Sequence, residues 1–187
     1  MSRSLLSLCG VASIMLAACV PSLQPVYTNG DVIFDPGLLG AWSDSDAEEH
    51  ALITKGEANS YVVAYTDEKG RTGRFFGHLL RVQGRLVLDL VPEAPPLDAS
   101  EFYKGLLLPL HMLLVLDTIG PRVSIATLDP DSVRSYLRAH PSALAHAVLD
   151  DGIILTAPPT ELQAFLASYG ARAGVMTNVQ TWVHRSP

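Results

Sequence analysis

Over residues 39–128 apolar and polar positions mostly alternate, the two-residue period of half-buried strands. Tyr61, Val63 and Tyr65 share one face, and Val62, Ala64 and Thr66 share the other. Thr66-Asp67-Glu68-Lys69-Gly70 is a turn sequence. Residues 74–82 alternate again, with Phe76, His78, Leu80 and Val82 on one side, and Gln83-Gly84 turns the chain into residues 86–91. Residues 92–100 hold three prolines and predict a surface loop. The apolar stretch 106–116, broken by Pro109 and His111, predicts a buried strand over 111–117. Gly120-Pro121 then turns into a strand over 123–128.

The period changes after Leu128. Asp129-Pro130-Asp131 offers a helix N-cap, a proline at the first helical position and an acid in the first turn. Val133, Tyr136 and Leu137 follow at helical spacing, and Pro141 closes the segment. Residues 152–157 predict a strand. Thr160-Glu161-Leu162-Gln163 has the form of a capping box. Leu162, Phe165, Leu166 and Tyr169 make one apolar face, and Gly170 is a stop signal. Residues 176–184 predict a last strand. The expected fold class is α+β: mainly an antiparallel β meander, curled or closed into a small barrel, with two short helices in the C-terminal third. Residues 38–187 form the expected single domain, and the Pro-, Ser- and Asn-rich residues 19–37 read as a tether.

Composition adds limits. With 187 residues, 48% hydrophobic and 17% charged, the chain can build one real core. A net charge of −6 argues against nucleic acid as a partner, which calls for a clustered basic face. Residues 1–18 stand apart. Arg3 is their lone charge, residues 5–15 are apolar, and Ala17-Ala18 are small, the layout of a secretory signal. The sequence Leu16-Ala17-Ala18-Cys19 resembles the lipobox of bacterial lipoproteins. That resemblance implies cleavage between Ala18 and Cys19, a diacylglyceryl group on the Cys19 sulfur, and a fatty acyl group on its new amine. Val20 follows the cysteine where an Asp would mark inner-membrane retention. The resemblance therefore implies the outer membrane, facing the periplasm. Cys9 would leave with the signal segment, so the mature chain would carry no free thiol and no disulfide.

Motifs for chemistry are sparse. There is no G-x-S-x-G, H-E-x-x-H, P-loop or G-x-G-x-x-G sequence. The histidines, His50, His78, His111, His140, His146 and His184, include no i, i+4 pair. Asp44, Asp46, Glu48 and Glu49 cluster after Trp42 but lack calcium-loop spacing and read as a solvated turn. No enzyme activity, cofactor or metal is expected. Gly40-Ala41-Trp42, with a late Trp182 and Arg185, resembles the lipocalin pattern. It implies that Trp42 closes a barrel floor with Arg185 packed over its ring, a cation–π contact. The expected function is a non-enzymatic, membrane-anchored envelope lipoprotein that binds an envelope component or a partner protein. The alternative is a lipocalin-like carrier, whose hydrophobic ligand would lie in a cavity lined by Tyr61, Val63, Tyr65, Phe76, His78 and Leu80.

Overall fold

A computed structural model describes residues 19–150 and 152–185. In chain order its strands are β1 (Val32–Ile33), β2 (Gly40–Ser43), β3 (His50–Lys55), β4 (Ser60–Thr66), β5 (Thr72–Val82) and β6 (Arg85–Pro92). They continue as β7 (Met112–Leu116), β8 (Arg122–Leu128), β9 (His146–Leu149), β10 (Gly152–Leu155) and β11 (Met176–Arg185). The helices are α1 (Glu101–Lys104), α2 (Pro130–Ala139) and α3 (Pro159–Ser168). Strands β2 to β8 form an antiparallel meander, and β11 pairs with both β8 and β2. The result is a closed eight-stranded barrel with three short helices, so the architecture is mostly β rather than an even α+β mixture. Strand β1 adds beside the far half of β5, and β9–β10 form a separate hairpin.

Local chemistry explains the main turns. Gln83 and Gly84 both have positive φ, 49° and 82°. A two-residue hairpin turn of this hand matches the natural twist of the flanking strands. At Asp129 the carboxylate caps α2, accepting from the backbone N–H of Ser132 at 2.7 Å. The capping box expected at Thr160 does not form. Helix α3 starts at Pro159 without a side-chain cap, and Gln163 is used elsewhere.

Strand pairing decides which face each residue takes. Tyr61 lies opposite Gly77 and Val63 opposite Phe75, pointing inward. Phe76 lies opposite Val62 and His78 opposite Ser60, on the outer face. The cavity expected from Tyr61, Phe76, His78 and Leu80 together is therefore corrected: Tyr61 faces the interior, whereas Phe76, His78 and Leu80 stand outside. The molecule has two cores. One fills the barrel, with Trp42, Tyr61, Leu79, Leu88, Leu90 and Trp182 among its members. The other lies between the outer wall and the helices, where Leu80, Val87, Val133, Leu137, Leu162 and Phe165 meet. Strand β6 serves both, with Leu86, Leu88 and Leu90 inward and Val87 and Asp89 outward. A strand buried on both sides reads as a continuous apolar run.

One more expectation needs correction. Residues 19–37 do not form a free tether. Val20, Ser22 and Val26 are buried, and β1 joins the sheet. Apolar side chains spaced among the prolines bind this segment to the outer wall. The strand expected over 111–117 is present as β7, while Leu106, Leu107 and Leu108 before it are exposed on the loop that contains α1. Pro109 ends any ladder there by removing a backbone donor.

Candidate functional site

The first candidate region is the barrel interior. Trp42 on β2 is buried and donates its indole N–H to the carbonyl of Leu38 at 2.9 Å. Leu38 ends a short 3-10 turn, Pro36–Leu38, that closes this mouth of the barrel together with Phe34. Tyr61 fixes that closure. Its hydroxyl accepts from the Asp35 backbone N–H at 2.7 Å and donates to the Asp35 carbonyl at 3.1 Å. Phe34 stacks on the Tyr61 ring at 5.1 Å. Burial pushes the Tyr61 phenol above its ordinary value. Arg185 does not cover Trp42. It donates to the Ser43 hydroxyl at 2.7 Å, while His184, directly opposite Trp42 in the ladder, meets the ring edge-on at 4.9 Å. The same imidazole donates to the Leu39 carbonyl at 3.0 Å and lies where a side chain at Gly40 would stand. The glycine of the G-x-W sequence is thus required twice, by its φ of 119° and by the His184 ring. An eight-stranded barrel either fills with its own side chains or holds one small ligand, and these rings gather at its closed mouth.

The second region lies beneath residues 19–31, which cross the outer wall as a strap. Ser22 exchanges two backbone hydrogen bonds with His111, at 2.9 and 2.8 Å. On its other side the strap pairs with β10: Leu23 N–H donates to the Leu155 carbonyl, and Leu155 N–H donates to that of Pro21. Asp89 is wholly buried beneath it. One carboxylate oxygen accepts from Val26 N–H at 2.7 Å and the other from His111 Nδ1 at 2.6 Å. Gln163 on α3 donates to the Val26 carbonyl at 2.9 Å and to the Asp31 carboxylate at 2.8 Å. Hydrogen bonds from Thr28 and Gln163 hold Asp31 below the usual carboxylate range. Tyr27 stacks on His78 at 4.1 Å, and His78 Nδ1 is buried without a hydrogen-bond partner. Burial lowers the His78 pKa, against an opposing pull from Asp89. An Asp–His pair can orient a general base, but the nearby Ser22 hydroxyl donates to the Gln24 carbonyl at 2.7 Å. What this arrangement does chemically is latch the strap. Sequence reasoning missed it because its members lie far apart in the chain.

The third region is where the strap begins. Cys19 lines a surface cleft of about 560 Å³ with Leu110, Arg134, Val148, Leu149 and Ile154. Burial pushes its thiol up to about 11, so it is not a ready thiolate nucleophile. Leu16, Ala17 and Ala18, and the rest of the expected signal segment, lie outside the described residues. So does Asp151. No helix among the described residues is long and apolar enough to cross a membrane.

The acidic turn after β2 is bonded within itself and to the barrel. Asp44 accepts from Glu49 N–H at 3.1 Å, and Glu49 accepts the Tyr65 hydroxyl at 2.7 Å. Burial first, and then the Glu49 carboxylate, raise the Tyr65 phenol well above its ordinary value. Among the described residues no group of three His, Cys, Asp or Glu is placed to hold a metal ion. No protein-family model, curated protein or solved structure matches the chain.

Proposed function

We propose that this chain is a lipid-anchored bacterial envelope protein, held at the outer membrane through Cys19 and facing the periplasm. Its barrel acts as a non-enzymatic scaffold that presents its surface to an envelope component or partner protein. The observation that carries this reading is the sequence Leu16-Ala17-Ala18-Cys19 behind a single-arginine apolar segment. The position of Cys19 supports it, since a cysteine in an open surface cleft leaves room for a thioether-linked lipid to emerge. Two or more acyl chains anchor stably where one binds marginally. The test is Cys19→Ser in cells fed a clickable fatty acid. Wild type should carry label and sediment with membranes; the variant should lose both. A variant that still takes up label ends the reading.

A second reading is a lipocalin-like carrier of a hydrophobic ligand. The closed eight-stranded barrel with Trp42 at its closed mouth favours it. Native mass spectrometry of the full chain, purified without denaturant, decides the matter. Co-purified lipid beyond the covalent acyl groups supports a carrier, and its absence, with no saturable uptake of a fluorescent fatty acid, leaves the scaffold.

A further inference from the structure

Among the described residues, four of the five most exposed large apolar side chains fall in two segments. Phe102 (82% exposed), Leu106 (66%) and Leu108 (70%) lie on the loop between β6 and β7, and Val148 (66%) lies on β9. Leu149 beside it is also more than half exposed. The two segments meet at one place. Leu110, two residues after Leu108, lines the cleft shared by Cys19, Val148 and Leu149. Two residues of chain span at most about 7 Å, so Leu108 lies close beside the cleft. Residues 105–110 carry no charge. The charged residues of the cleft are Arg134 and Asp150, one of each sign, so the face offers no net repulsion to an anionic surface.

Exposed large apolar side chains gathered beside one cleft mark an interaction site. Its occupant is argued from the residue at its centre. Lipid attached at Cys19 would bring a bilayer to this cleft before any soluble partner could reach it. We propose that the apolar face formed by residues 102–110 and by Val148 and Leu149 lies in the membrane interface around the Cys19 anchor. The domain is then held in one orientation rather than swinging on its lipid. Side chains of this kind, Phe and Leu with a flanking Tyr103 and Lys104, suit the boundary between headgroups and acyl chains. The buried strap contributes: because residues 20–26 are stitched to the barrel wall, there is no slack between anchor and domain. This inference rests on the lipid-anchor reading.

The test uses the full chain, expressed in a bacterial host fed a clickable fatty acid, purified, and reconstituted in phosphatidylethanolamine/phosphatidylglycerol vesicles with brominated acyl chains. Leu108→Trp and Val148→Trp place probes on the face. Glu57→Trp places one on the turn between β3 and β4, which an antiparallel meander puts at the opposite mouth of the barrel from the β6–β7 loop. Trp42 and Trp182 are buried in the barrel and give a constant background. The expected result is acyl label on every variant and quenching at 108 and 148 at least about twofold above that at 57, as for side chains ~5–10 Å into the interface. Label with equal quenching at all three positions overturns the docked orientation, leaves the anchor standing, and points to a protein as the cover of this face. Absence of label overturns the anchor, and the docked orientation falls with it.

Discussion

The barrel interior and the strapped outer wall are both buried, yet they are held in different ways. Inside, Trp42, Tyr61, Trp182 and the leucines of β6 are positioned by a continuous ladder of adjacent strands. Most strands of the meander meet their neighbours through short turns, with the β6–β7 loop and the return of β11 as exceptions, so the interior depends on strand pairing and on volume. Outside, elements that are remote in sequence are joined by few polar groups. Asp89 holds Val26, 63 residues away, and Gln163 holds the Val26 carbonyl across 137 residues. The difference sets a wall held by strand pairing and packed volume against a strap whose polar ties to that wall come from elements remote in sequence.

Substitutions can break or sharpen this contrast. The largest effect is expected at Trp42. Trp42→Ala leaves a large void and should cost about 3–5 kcal/mol, seen as a marked fall in the urea midpoint with all amides losing protection together. Next is Asp89→Ala, which strips the Val26 N–H and His111 of their acceptor. A charged acceptor with two such bonds implies a loss of about 2–3 kcal/mol. Hydrogen exchange should rise first over residues 20–31, while the amides of β2 to β4 stay protected; uniform loss across the barrel would abolish the distinction between wall and strap. Gln163→Ala removes two bonds to the strap at its other edge and should cost about 1 kcal/mol, with the same restricted pattern of exchange.

The smallest effect concerns pH. His78 is held below its ordinary pKa of 6.5 mainly by burial, facing Tyr27, Asp89 and His111. Above 6.5 it is neutral in both folded and unfolded chains. As pH falls below that value the unfolded chain takes the proton first, so stability drops. His78→Gln should therefore flatten the decline in melting temperature between pH 7.5 and 5.5; parallel curves for variant and wild type would place the pH sensitivity elsewhere.

Legibility followed the same division. The alternation of Tyr61, Val63 and Tyr65 and the Gln83-Gly84 turn were readable because period two and positive φ are local properties. So was the cap at Asp129. The inward neighbour of Tyr61 was not readable, since pairing register sets it, and Gly77 rather than Phe76 takes the place. Likewise the ladder puts His184 rather than Arg185 opposite Trp42. Closure through β11 depends on two partners far from it in sequence. The strap was misjudged because prolines and polar turns in residues 19–37 resemble a linker. What makes it structure is a set of acceptors supplied by Asp89, Leu155 and His111, and nothing within the segment announces them. Of the candidate site, four adjacent residues single out Cys19 by resemblance alone, while the exposed apolar residues near it come from two further segments of chain.

The strap also imposes an order in time. Its residues are made first, but Leu155 and Gln163, which hold it, lie near the other end of the chain. Contacts of such long sequence separation close late in folding. Until then residues 19–26 lack the partners that hold them, and Cys19 stands clear of the cleft it later lines. Any modification of Cys19 that needs an extended segment would have its opportunity in that interval. Under the proposed lipid anchor, acylation at Cys19 would precede the β10 and α3 contacts that fix the strap to the wall.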